Sequence, residues 1–217
     1  MDSRMITKRK IFGMVAGVII LSAGIAIFRQ SGMGTDSGNA MLFRIAEITL
    51  FPFSTIVLLS NLVYFAVEFF LGRTYIGIGT FVNGIGCGYI VTVCCYFLER
   101  IFGTPGTFFM QLLWVLIGTL VMSLGVSLYQ TAGLGIAPYD SLAILLCKYT
   151  KMPYFLCRIS VDGLCGVICW RIGGHLGIGT LICLFALGPF ISLFDKYVSR
   201  PFMRDLSVQK SINTVKV

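Results

Sequence analysis

The chain has 217 residues, 57% of them hydrophobic and only 12% charged, with a mean hydropathy of +0.90. A soluble domain carries about 25% charged residues, so this composition excludes a fully water-facing surface and makes lipid the solvent for much of the chain. The formal charge of +8 does not point to nucleic acid, because the basic residues are scattered between apolar runs instead of forming a patch with exposed aromatics.

Six runs approach or reach the roughly 17–25 residues a helix needs to cross a hydrocarbon core: 11–28, 51–71, 75–98, 108–129, 153–170 and 176–194. The first follows MDSRMITKRK and has the form of a signal peptide, but five further runs follow it, so it reads as an uncleaved signal-anchor. With the N-terminus in the cytoplasm and alternation across six spans, twelve Lys and Arg fall on the cytoplasmic side. They are Arg4, Lys8, Arg9, Lys10, Arg73, Lys148, Lys151, Lys196, Arg200, Arg204, Lys210 and Lys216. Arg29, Arg44, Arg100 and Arg171 fall outside, and Arg158 stays within a span. This asymmetry predicts an inner (plasma) membrane protein with both termini cytoplasmic.

Following the first run, the chain reads GMGTDSGN, and the matching stretch of the second half reads GLGIAPYD. Sliding the sequence by 101 positions lays GVIILSAGIAIFRQSGMG (17–34) on GTLVMSLGVSLYQTAGLG (118–135), so that Gly32 and Gly34 meet Gly133 and Gly135. Thr49 and Pro52 meet Thr150 and Pro153, and after one deletion GIGTF (77–81) meets GIGTL (177–181). The chain therefore reads as an all-α polytopic protein built from two three-span repeats: 11–100 and 108–200. Residues 1–10 form a basic N-terminus, 101–107 an inter-repeat loop and 201–217 a cytoplasmic tail. Three spans per repeat is an odd number, so the second copy is inverted, a plan used by secondary transporters with substrate near the midplane.

Between the first two spans of each repeat lies a short apolar segment, 41–49 and 142–150. Nine residues at 1.5 Å each cannot cross a core of about 30 Å, so each is a short helix, surface-lying or re-entrant. A helix N-terminus at membrane depth aims its orphan N–H groups at an anion. Asp140 stands where an N-cap carboxylate would, and reads either as a cap or as a site residue. Asp36 occupies the first loop.

Within the third run, GIGTFVNGIGCG (77–88) lacks the Lys-Ser/Thr pair of a phosphate loop, and close helix packing explains its glycines better. Gly84-x-x-x-Gly88 would permit a homodimer contact. Asn83 in the same run is a candidate lining residue. Glu68, near the cytoplasmic end of the second span, is placed where it could reach headgroups, with a functional role as the alternative. In the fifth run Asp162 stands nine residues after Pro153, near the midplane, and its repeat partner is Asn61. Arg158 lies four residues before Asp162 on one helical face. The two read either as an internal ion pair or as part of a solute site, since charges at mid-bilayer are costly and usually functional. Trp114, Tyr154 and Trp170 read as interfacial residues.

None of the eight cysteines lies in an outer loop, and without CxxC and with the single His175 they read as packing residues, not metal ligands. No His-Glu cluster, Ser/His/Asp set or paired-acid arrangement is visible, so no enzyme, metal or cofactor is expected.

GLGIAPYDSLAILL, CRISVDGLCGVICW and GIGTLICLFALGPFISLF together resemble the YczE/YyaS/YitT-like bacterial membrane proteins. The matching positions are Gly133, Gly135, Pro138, Tyr139 and Asp140, then Arg158, Asp162 and Cys165, then Gly177, Gly179, Thr180, Gly188 and Pro189. Asp36-Ser37-Gly38-Asn39 departs from the acid-proline-aromatic sequence often found there in relatives. The resemblance implies a bacterial inner-membrane protein and no particular substrate.

The residues alone favour a transporter or exporter of a small anionic or zwitterionic solute. Arg158 would contact the solute, Asp162 would carry a coupling proton or orient Arg158, and Asn61, Asp140, Tyr139, Asp36 and Asn83 complete the candidate site. A binding or accessory subunit of a larger transport complex, or a small-solute channel, are the alternatives.

Overall fold

The computed structural model describes residues 8–103, 105–174 and 176–203. The expectations for Arg4, His175, Arg204, Lys210 and Lys216 lie outside them. The described residues form eight α-helices, a short 3-10 turn at Arg73–Tyr75 and no strand. These are α1 (Lys8–Gln30), α2 (Ser37–Thr49), α3 (Phe53–Leu71), α4 (Ile78–Phe102), α5 (Phe108–Thr131), α6 (Pro138–Thr150), α7 (Tyr154–Arg171) and α8 (Ile178–Phe194). The last continues through a π-helical turn, Asp195–Ser199, to Met203.

Five helices are long and apolar enough to cross a membrane: α1, α3, α4, α5 and α8 with its continuation. The sixth expected span, α7, has 18 residues but carries Arg158, Asp162 and Arg171. Its length of about 27 Å is adequate; its polarity is what separates it from the other five.

The two short helices are longer than the apolar runs suggested, 13 residues each, and start four residues earlier. Asp36 caps α2 by accepting from the Asn39 N–H, satisfying one orphan donor. In α6 the N-cap is Ala137, and Pro138 at the first helical position is pre-organised for the start. Asp140 therefore does not cap α6; it sits one turn in and is used elsewhere. Both helices end on a left-handed residue, Leu50 (φ 58°) and Lys151 (φ 57°), and run into Pro52 and Pro153. At about 20 Å each, neither spans a hydrocarbon core.

Packing is reciprocal at the sequence offset. Helices α1 and α5 form the principal contact, α1 also packs on α4 and α5 on α8, and each short helix crosses to the other half, α2 to α7 and α6 to α3. Small residues make the central contact close. A Cβ on Gly17 would lie 2.6 Å from the Tyr129 amide nitrogen, and one on Gly118 2.7 Å from that of Phe28. Gly24 and Gly125 repeat the arrangement against Met122 and Leu21.

The glycine loops lock the halves together. Met33 O accepts from Gly179 N–H (3.1 Å) and Leu134 O from Gly79 N–H (2.9 Å). Gly135 has φ 125°, and a Cβ there would meet the Gly77 backbone at 2.8 Å, so conformation and space both require glycine. The Gly84/Gly88 pair faces inward within this chain: a Cβ on Gly88 would lie 3.0 Å from Val57 and 3.1 Å from Ser54 of α3. Gly88 is thus packed on α3, whereas a Cβ on Gly84 would meet nothing closer than 3.7 Å.

Candidate functional site

The N-terminal turns of α2 and α6 are buried, their C-terminal ends are more exposed, and the two helices meet first turn to first turn. A Cβ on Gly38 would lie 2.6 Å from the Tyr139 ring, so Gly38 lets the tyrosine seat against α2. Beside this junction lies a cavity of about 70 Å³, room for a few waters or a small head group. Asp36, Asn39, Asn61, Asn83, Tyr139, Asp140 and Arg158 contribute its polar lining, and α1, α3 and α5 add Leu21, Tyr64 and Met122.

Four charged side chains gather here, each only 5% exposed: Asp36, Asp140, Arg158 and Asp162. Burial of an isolated ion costs several kcal/mol, so partners are obligatory. Arg158 Nη1 donates to Asp140 Oδ1 at 2.5 Å and its Nε to Asp162 Oδ2 at 3.1 Å. The second contact joins adjacent turns of α7; the first ties α7 to α6. The other Asp140 oxygen accepts from the Tyr129 hydroxyl and from Gln130 Nε2 (3.4 Å), binding α6 to α5. Tyr139 donates its hydroxyl to Asp162 Oδ1 at 2.5 Å, and its ring lies under the Arg158 guanidinium, 5.2 Å from centroid to Cζ. Burial and then the Asp162 carboxylate push the Tyr139 phenol well above its ordinary value, so it remains a donor.

Asp36 approaches from the other half. It accepts from the Asn39 backbone N–H (3.2 Å), the Asn39 side chain (2.9 Å) and the Thr35 hydroxyl (3.3 Å). Burial raises its carboxyl above the ordinary value, the Asn39 hydrogen bonds oppose this, and the Asp162 charge adds to the rise. Desolvation outweighs the hydrogen bonds and holds the carboxyl above its ordinary value.

The candidate residues from both halves thus converge. Asn61 is present but does not reach Asp162 by a hydrogen bond; its Nδ2 donates to Gly84 O at 2.8 Å. Asn83 faces the cavity with its buried Nδ2 unpartnered. Gly32, Gly34, Gly133 and Gly135 shape the loops leading to the short helices, all four at positive φ. Glu68 does not reach the headgroups: it is fully buried and neither carboxyl oxygen has a hydrogen-bond partner. Tyr129, Gln130, Asn39 and Tyr64 were not foreseen. Tyr129 stands at the offset position of Phe28, and that added hydroxyl in an apolar match was the signal available. No group of three metal-ligating side chains occurs among the described residues.

Comparison with known proteins agrees with the family resemblance of the sequence. The profile described as "Family of unknown function (DUF6198)" matches residues 8–196. The chain belongs to that family. The match runs from the start of α1 into the π-helical turn after α8 and so includes every residue of the cluster. Among curated proteins the chain is 27% identical to YyaS of Bacillus subtilis (strain 168) over 194 residues, covering 86% of this chain and 92% of that protein. It is 25% identical to a protein of Haemophilus influenzae over 181 residues, 83% of this chain and 81% of that one. No solved structure matches.

Proposed function

We propose that this DUF6198 member is a membrane-embedded secondary transporter whose two inverted repeats alternate access to the central cavity. In this reading α7 is the sixth span, its charges satisfied within the bundle, α2 and α6 are re-entrant half-helices, and both termini are cytoplasmic. The reciprocal glycine contacts between α1 and α5 support a two-fold relation between the halves. The Lys/Arg asymmetry supports the orientation.

One observation carries the substrate class: three buried carboxyl groups gather with one guanidinium, which is paired to two of them. Each helix N-terminus contributes about half a positive charge, so α2 and α6 together offset roughly one carboxylate and Arg158 a second. About one negative charge remains, and in low dielectric it calls for a proton or a cation. Arg158 is committed to Asp140 and Asp162, which moves the reading from an anion toward a solute with a positive end, a cation or a zwitterion. Asn83 Nδ2 offers that solute a hydrogen-bond donor. Asp36, whose carboxyl burial holds above its ordinary value, exchanges a proton for the solute's positive group, which couples transport to proton movement.

Proteoliposomes with an imposed pH gradient test this. Accumulation of a small ammonium or zwitterionic solute that collapses with the gradient, and is lost in Asp36→Asn while the variant stays folded, is the expected result. Gradient-independent, non-saturating flux would instead mark a channel, which two short helices meeting at their N-termini would also suit. Coupled transport unaltered by Asp36→Asn would remove Asp36 from the mechanism.

A further inference from the structure

The lipid-facing side of α3 and α4 carries a groove of about 400 Å³, lined by Leu62, Phe65, Phe81 and Ile85. Its inner wall includes Asn61 and Pro138. Asn61 also lines the central cavity, and Pro138 lies between Ala137 and Tyr139, which do the same. Asn61, its side chain bridged to Gly84 O at 2.8 Å, is the residue the two linings share. An apolar groove and an acidic chamber thus meet at Asn61. The opposite half has a groove between α7 and α8, but it shares no lining residue with the central cavity.

We infer that the α3–α4 groove is the lateral portal for the apolar tail of an amphipathic cation, whose positive head enters the carboxylate chamber while the tail stays in the groove. This rests on the cationic reading of the central site and deepens it. The chamber, about 70 Å³, accommodates a head group and little more. The groove is several times larger, and burying alkyl groups there needs no polar partner. Charge complementarity fixes the head, because three buried carboxyl groups lie at the chamber with a single guanidinium. Continuity through Asn61 fixes the tail, because this groove, unlike its counterpart, shares a lining residue with the chamber. Swinging the Asn61 amide off Gly84 O opens the passage, and the freed carbonyl sits where an ammonium N–H can be accepted on the way in.

The second half supplies the variant. Position 184, equivalent to Gly84, is leucine, and α7 and α8 still pack. Opposite Leu184 stand Gly163 and Gly166, whereas the equivalents facing Gly84 are Leu62 and Phe65. A Cβ on Gly84 would meet nothing closer than 3.7 Å. The Cβ has room and the side chain beyond it lies in the groove, so Gly84→Leu fills the inner end of the groove against Leu62 and Phe65. Leu62→Trp, at a position 66% exposed, obstructs it from the facing helix with little risk to folding.

Binding of ethylammonium and decylammonium to the full chain in phosphatidylcholine nanodiscs tests the inference, because partition into lipid is common to parent and variants. In the parent, apparent affinity referred to the aqueous concentration should rise at least about a hundredfold from ethyl- to decylammonium. In Gly84→Leu and in Leu62→Trp decylammonium should weaken at least about tenfold relative to the parent while ethylammonium is unchanged, which also shows that each variant is folded. Equal decylammonium affinity in parent and both variants would overturn the portal and leave the cation site standing. Ethylammonium bound but decylammonium excluded in the parent would overturn it too. Binding of neither compound would overturn the portal together with the cationic reading beneath it.

Discussion

Replacing Arg158 by methionine tests whether the charge cluster holds the bundle together. Methionine keeps most of the side chain's length and apolar stem but removes the guanidinium that Asp140 and Asp162 share. Two carboxylates that are 5% exposed then face one another without a cation. Breaking a buried pair by removing one partner costs about 3–5 kcal/mol. For a chain of this length 1 kcal/mol moves the unfolding temperature by about 2–4 °C, so Arg158→Met should unfold roughly 6–20 °C below the parent. The chain carries its own reporter, since Cys87, Cys157, Cys165, Cys169 and Cys183 are buried free thiols that a thiol-reactive fluorophore labels only on unfolding. The decisive arm is the double variant Arg158→Met/Asp162→Asn. Asparagine keeps an acceptor for the Tyr139 hydroxyl and discards the orphaned charge, so the second change should offset the first, with a coupling of about 0.5–3 kcal/mol. An unchanged unfolding temperature in Arg158→Met would refute the reasoning. So would a double variant that loses as much as the two single losses added.

Three further outcomes follow from the same contacts. Gly125→Ala puts a Cβ 2.2 Å from the Leu21 amide nitrogen and must prise α1 from α5; it should cost at least about 1–3 kcal/mol in the thermal assay, whereas Gly163→Ala, with nothing within 4 Å, should be neutral or stabilise by up to about 1 kcal/mol. Glu68→Leu replaces a buried carboxyl whose two oxygens have no partner, and should raise stability by about 1–3 kcal/mol; a drop in unfolding temperature would contradict that burial. For Asp36 the folded carboxyl titrates above its ordinary 3.8, so its contribution is fully present below that pH and is lost as pH rises through the raised value. Asp36→Asn should flatten that part of the stability–pH profile, and an unchanged slope would show that the slope comes from elsewhere.

Hydrophobic run lengths located all eight helices within a few residues, because apolar length is what a lipid-solvated helix must supply. The short helices began earlier than expected because the apolar run does not register Ser37-Gly38-Asn39 or Pro138-Tyr139-Asp140; their starts are set by a cap at Asp36 and a proline at Pro138. Periodicity put Arg158 and Asp162 on one face of α7, and a spacing of four residues was enough to read their ion pair. It could not show that Arg158 also reaches Asp140, since that contact depends on α6 crossing from the other side of α7. Glu68 was misplaced for the opposite reason: nearness to a span end implies water, but α6 packs on α3 and the side chain is buried.

Offsets carried more about the site than the expectations drew from them. Asn39 stands at the position of Asp140, Val57 at that of Arg158 and Asn61 at that of Asp162. The first half thus holds neutral groups wherever the second half holds the charged set, while the glycines that set helix contact are kept in both. Packing is symmetric and charge is not. Asp36, opposite Ala137, is the one acid the first half brings to the chamber. Any motion of one half against the other must therefore change the distance from Asp36 to Arg158 and Asp162 far more than it changes distances within the second half, where α7 holds two of the charges on adjacent turns. A carboxyl already biased toward the proton by burial is then the group whose protonation such a motion would alter most. In the transport reading proposed above, the same carboxyl is the one that a solute's positive end would meet on entering.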